Sequence, residues 1–370
     1  MQLVYLSPVP WASFAQRPHK FVEWFHSRSG GKVLWVDPYP TRLPELSDFR
    51  RVKAAASGSE KTGAQTQIPG WLEVIHPRAL PIEPVVGSGV VNRLFWANVL
   101  KEVEFFVKGK TCYLAIGKPS ELALQILDQH PELQSLYDAM DDFAAFYRGF
   151  SSSAMKRTEE KIASRVTRLL VSSTALANRF SRNVPKPTLV HNACAGDMLP
   201  PIGEVRADHT QQVLGYVGTI ASWFDWPLVI ALAAANPSSL VRLVGPLYVP
   251  PPVPLPANIE LMPACSHEAA IKVMQTFSLG LIPFRINALT SSVDPVKYYE
   301  YRALGLPVAS TPFGEMSLRG NQKGVLLLEK HGNLENLLEQ GALSRPTENE
   351  IEGFRCKNTW EVRFDAAKIF

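Results

Sequence analysis

The sequence contains no GxGxxG segment, no DxD triplet and no CxxC pair. The first absence removes the usual dinucleotide fingerprint. The second leaves no obligate metal motif, so no metal site is expected. The four cysteines, Cys112, Cys194, Cys265 and Cys356, are scattered along the chain, which fits a reduced, cytoplasmic protein without structural zinc. No apolar run reaches the ~18 residues that a membrane span requires, and strand-like residues 3–6 stand at the start, so neither a span nor a secretory leader is expected. Charged residues make up only 19% of the chain, with a net charge of +4. That balance suits anionic substrates or an anionic membrane face and gives no argument for nucleic acid.

What is present is a long, apolar, alternating chain. Its 370 residues, 46% hydrophobic, exceed one ordinary core and predict two domains. Short apolar runs alternate with helical stretches twice over. In the first half they fall at 3–6, 33–36, 72–75, 111–116, 134–137 and 168–172; in the second at 213–217, 240–244, 259–262, 279–283, 307–310 and 325–328. The pattern predicts an α/β chain with two layers of mainly parallel sheet. Domains are expected at 1–185 and 211–355, joined by a Pro- and Gly-rich crossing over 186–210, with a last segment at 356–370. The small, polar stretch 54–67 reads as a mobile loop. The proline-dense 246–258 reads as a stiff surface excursion.

One stretch carries chemistry, SSVDPVKYYEYRALGLPVAST at 291–311. Asp294 is a preferred N-cap, Pro295 a preferred first helical residue, and Gly305 a preferred stop. Unpaired amides and the positive helix end would face the preceding loop, Ser291, Ser292 and Val293, and make it an anion site. Lys297 and Glu300 share one helical face and lean toward that end. Lys297 suits a phosphate; a carboxylate does not, and Glu300 suits a nearby diol such as a ribose. The plainer alternative is a capped surface helix with an i,i+3 ion pair.

Five segments in order, Gln16-Arg17-Pro18-His19, Tyr137 to Phe143, His191-Asn192-Ala193, Gly215 to Ile220, and Asp294 to Tyr301, carry a resemblance across most of the chain. The sequence resembles bacterial nucleotide-sugar-dependent glycosyltransferases of the two-Rossmann-domain (GT-B) class, in the group related to teichuronic acid and exopolysaccharide transferases. The resemblance implies two Rossmann-like domains facing across a cleft, the second binding the donor and the first the acceptor, with the C-terminal helix crossing back. It assigns Glu300 to the ribose, and Lys297 with the 290–293 loop to the diphosphate. Gly218 and Thr219 follow the first strand of the second domain, where an open sheet places its ligand. The segment 263–267 would line the base pocket.

Two departures from the family pattern stand out. Ser292 occupies the place of a second glutamate that many retaining relatives carry, and Ala221 to Asp225 replace the Arg and Lys that often follow the glycine loop. An inverting base would then come from Asp138, Asp141 or Asp142 at the end of a strand, residues that alternatively cap a helix. Gln16, Arg17 and His19 stand at a strand-to-helix loop on the acceptor side. Arg157, Lys161, Arg165 and Arg168 fall on one helical face, either a solvated surface or a contact for anionic lipid headgroups.

The combined expectation is a glycosyltransferase without a cofactor. Its donor is a nucleoside-diphosphate sugar and its acceptor a glycan, lipid-linked or soluble, in bacterial surface polysaccharide biosynthesis. It would work in the cytoplasm, peripherally at the inner face of the membrane. A non-hydrolysing nucleotide-sugar epimerase and a catalytically silent sugar-nucleotide-binding partner are the alternatives.

Overall fold

The computed structural model describes residues 1–41, 68–83, 87–202, 211–328 and 334–369; the stretch 54–67, read above as a mobile loop, lies outside them. Seven strands, β1 (Gln2–Leu6), β2 (Val33–Val36), β3 (Leu72–Ile75), β4 (Cys112–Ile116), β5 (Gln134–Ala139), β6 (Arg168–Val171) and β7 (Pro187–Leu189), form one sheet in the order β3-β2-β1-β4-β5-β6-β7. Six more, β8 (Val213–Val217), β9 (Leu240–Val244), β10 (Ile259–Met262), β11 (Leu279–Ile282), β12 (Val308–Ser310) and β13 (Val325–Leu327), form a second in the order β10-β9-β8-β11-β12-β13. Every strand pair is parallel.

Parallel sheets are covered on both faces, which is why β1 and β2 are near-continuous apolar runs and are buried almost throughout. On one face Val4, Leu114 and Ile116 pack with Trp96, Val99 and Val103 of the helix Ser88–Val107. On the other, Tyr5 meets Trp35 and Phe21, the last from the helix Arg17–Ser29. Both sheets show the strand order of a doubly wound Rossmann fold, with its reversal between β1 and β4 and again between β8 and β11.

The chain separates into two compact units, one running to His191 and resumed from Phe364, the other spanning Asn192–Arg363. β7 lies inside the stretch expected to be a crossing. It pairs with β6 as an edge strand, where a proline is tolerated, so the first unit extends past 186. Within that unit Asp365 accepts from Trp24 Nε1 (2.8 Å) and Phe364 packs on Phe21, fastening the chain's end.

Candidate functional site

In the second unit the loops leaving β8 and β11 emerge side by side at the carboxyl ends of the strands, where an open α/β sheet binds ligands. They are laced together by Asp225 N donating to Pro283 O (2.8 Å) and Arg285 N to Trp223 O (2.7 Å). Gly218 opens the first loop at φ 152°, and a Cβ there would stand 2.9 Å from Tyr216 Oη and 3.2 Å from Lys297 Cε. Only glycine leaves that space, so the β8 loop and the Lys297 side chain are neighbours. Thr219 is held beside it by Tyr216 Oη donating to its carbonyl (2.8 Å).

The helix predicted from Asp294 spans Val296–Ala303, with Pro295 at the cap and no side-chain cap bond. It ends as expected before Gly305, at φ 70°. Asp294 departs from the expectation. Its buried carboxylate accepts from Arg319 Nη2 (2.7 Å), Asn192 N (2.7 Å) and Tyr299 Oη (3.0 Å), and Arg319 lies 4.0 Å over the Tyr298 ring. A charged partner far along the chain outcompetes the weak local cap. Asp294 therefore anchors the helix from behind and leaves its first amides to the loop side.

Glu300, buried on that helix, receives Lys297 Nζ on one oxygen (3.0 Å) and pairs with His267 Nε2 through the other (3.0 Å). Burial by itself would raise its pKa, but Lys297 and His267 hold it down to about 2. It is thus a carboxylate at every ordinary pH, with lone pairs left for hydroxyl donors. The i,i+3 ion pair exists, and His267 shows that it belongs to a larger cluster. His267 starts the helix His267–Met274, capped by Ser266, inside the segment assigned above to a base pocket. The Ser291–Val293 loop is internally tied: Ser291 N donates to Asn287 O (3.0 Å) and Val293 N to Thr290 O (3.2 Å). Gly314 presses against it, with no room for a Cβ beside Val293 O (2.3 Å). Ser292 Oγ is buried without a hydrogen-bond partner among the described residues.

In the first unit the three aspartates separate by environment. Asp138, wholly buried on β5, takes Arg17 Nε and Nη2 at 2.8 Å each, and Arg17 Nη1 reaches Val190 O at 2.7 Å. It is a committed counter-ion, not a free base. Asp142 pairs with Arg179 (2.9 Å), which also holds Glu159. Asp141 forms no ion pair among the described residues. Burial pushes its carboxyl up to about 7, opposed by Arg17 and reinforced by Asp142 and Asp138. Arg17 and His19 are structural in the same way: buried His19 accepts from Gln16 N at Nδ1 (3.2 Å), sits 3.1 Å from Trp11 O at Nε2, and packs on Trp11 and Trp35. Burial lowers its pKa. Gln16 alone of that trio is exposed.

The expected basic stripe does not lie on one helix. Arg157 and Lys161 belong to the helix Gly149–Ala163, Arg165 follows it and pairs with Asp128, and Arg168 opens β6. Burial of Val166 and Leu169 in the core drives the change from helix to strand. Among the described residues no His, Cys, Asp and Glu cluster suits a metal ion, and no helix is long and apolar enough to cross a membrane.

No protein-family model matches the chain, and no curated protein matches it. Solved structures do. A sucrose-phosphate synthase from Thermosynechococcus elongatus superposes with a TM-score of 0.67 at 12% identity, over 99% of this chain and 97% of that one. Anabaena HepE, solved in complex with UDP-glucose, gives 0.65 at 13% identity over 100% and 98%. An α,α-trehalose-phosphate synthase (UDP-forming) from Burkholderia vietnamiensis gives 0.58 at 9% identity over 99% and 95%. At these identities the likeness establishes the architecture: the chain has the two-Rossmann-domain GT-B fold of these glycosyltransferases.

Proposed function

We propose that the protein is a glycosyltransferase that moves a sugar from a nucleoside diphosphate to a glycan or lipid-linked glycan acceptor in bacterial surface polysaccharide biosynthesis, at the cytoplasmic face of the membrane. The observation that carries this reading is Glu300, kept ionised at the carboxyl end of the second sheet with Lys297 beside Gly218. A diol on Glu300 and a diphosphate between Lys297 and the first helical amides describe one ligand, a nucleoside diphosphate. The UDP-glucose held by the structurally similar HepE supports it.

The reaction is displacement at the anomeric carbon. The acceptor oxygen bonds to that carbon as its bond to the phosphate oxygen breaks, and the nucleoside diphosphate leaves with its electron pair. Lys297 and the helix amides stabilise the charge developing on the leaving oxygen. On the acceptor side Asp141 takes the hydroxyl proton, because its pKa of about 7 suits a base at neutral pH while Asp138 is bound to Arg17. No step draws on a cofactor.

The test is incubation with nucleotide sugars, with and without a lipid-linked glycan fraction, followed by NMR of donor and product. Acceptor-dependent release of nucleoside diphosphate supports transfer. Conversion of free nucleotide sugar without acceptor would identify an epimerase, and binding without turnover a silent partner.

A further inference from the structure

The first two turns of the helix Ser88–Val107 carry apolar side chains outward as well as inward: Val90 is 78% and Leu94 83% exposed, while Asn92 and Trp96 are buried. The helix Gly149–Ala163 opens with Phe150, 97% exposed. Phe150, Ala154, Arg157 and Lys161 recur at helical spacing and share one face. Between the two helices is a cavity of about 440 Å³ whose lining includes Val90, Arg93, Arg157 and Lys161, with Glu121 and Gln125. Its frame is fixed, since Gln125 Nε2 donates to Gly89 O (2.9 Å) and Thr158 Oγ1 to Glu121 (3.3 Å). Arg93, Arg157 and Lys161 form no ion pair among the described residues, so Glu121 is outnumbered at a basic opening rimmed by bare apolar side chains.

Single exposed hydrophobics are ordinary, but an apolar rim around unpaired cations is the composition of a surface that lies in a membrane interface. We propose that this face docks on an anionic phospholipid bilayer, with Val90, Leu94 and Phe150 entering the boundary between headgroups and acyl chains and Arg93, Arg157 and Lys161 meeting lipid phosphates. Phe146, 51% exposed, continues the apolar character into the turn that follows Asp141 and Asp142, and Ser152 Oγ ties that turn to the helix through Ala144 O (2.9 Å). A lipid-linked acceptor would then be presented beside the carboxyl end of β5. This last point rests on the transferase reading; the docking face does not.

Cosedimentation of the whole chain, without nucleotide, with vesicles of phosphatidylglycerol and phosphatidylcholine against phosphatidylcholine alone tests it. The parent binds the anionic vesicles more tightly, and less so as salt rises. Leu94→Ser with Phe150→Ser lowers partitioning by about tenfold or more. Arg93→Gln, Arg157→Gln and Lys161→Gln together lower it by about tenfold to hundredfold and flatten the salt dependence. Arg165→Gln with Arg168→Gln leaves it unchanged. Equal vesicle binding by parent and both sets of variants overturns the proposal. So does a parent that ignores anionic vesicles but forms a dimer by light scattering that the serine pair dissolves, which would assign the face to a second copy of the chain. Nucleoside diphosphate affinity, measured in the same variants, stays at the parent value; absence of such affinity in the parent defeats the transferase reading alone.

Discussion

Replacing Glu300 with alanine removes one carboxylate and releases its two partners, Lys297 and His267, so its effects can be separated by ligand. With two ribose hydroxyls on the carboxylate, each charged hydrogen bond contributes about 1.5–3 kcal/mol, and because they do not add fully the loss is about 2–4 kcal/mol. That is roughly 30- to 800-fold in Kd. Lys297, now 3.0 Å from Glu300, would be released toward phosphate. Nucleoside affinity should therefore fall by the full amount, nucleoside diphosphate affinity by less, and inorganic pyrophosphate affinity not at all. Stability also moves. A carboxyl held at about 2 instead of 4.5 contributes stability that is present above pH 4.5 and lost as pH falls toward 2. At pH 7 that linkage amounts to about 3 kcal/mol, so binding is to be compared at a temperature where circular dichroism shows the variant folded. Calorimetry in which the folded variant binds nucleoside and nucleoside diphosphate as the parent does would refute the ribose assignment.

Asp141→Asn should lower kcat by about 10²- to 10⁴-fold with donor affinity unchanged. The parent's rate should rise with pH through about 7, a limb that the variant loses. Because the folded-state pKa is raised above 3.8, ionising Asp141 costs stability as pH climbs to 7, and the variant's Tm relative to the parent should be higher at pH 8 than at pH 5. Arg17→Met leaves Asp138 buried and unpaired, and urea denaturation should show a loss of about 3–5 kcal/mol.

The architecture was legible because parallel strands announce themselves as apolar runs. The runs at 33–36, 72–75, 213–217, 240–244 and 259–262 coincide with strands. β7 carries little of that signal, being three residues that begin with a proline. The donor-side cluster was half visible. Lys297 and Glu300 meet through local helical spacing, whereas His267 arrives from another helix and only its strand-end position marked it. Long-range pairing was not visible. Arg17 and Asp138 lie 121 residues apart, and Asp294 and Arg319 lie 25 apart. Without those partners Arg17 and Asp138 read as free functional groups and Asp294 as a helix cap. The basic stripe is broken because the charge periodicity continues past Ala163, where core packing of Val166 and Leu169 ends the helix. Val90 and Leu94 stand four apart, a spacing that reads as a core-facing stripe, yet both are exposed.

The central claim is that the second unit holds a nucleoside-diphosphate sugar through Glu300 and Lys297. The direct measurement is a calorimetric titration of the chain with UDP-, GDP-, TDP- and ADP-sugars and CMP-sugar. The account predicts saturable binding of at least one nucleoside-diphosphate sugar at one site per chain, displaced by the matching free nucleoside diphosphate. Failure of all of them to bind the folded protein would contradict it.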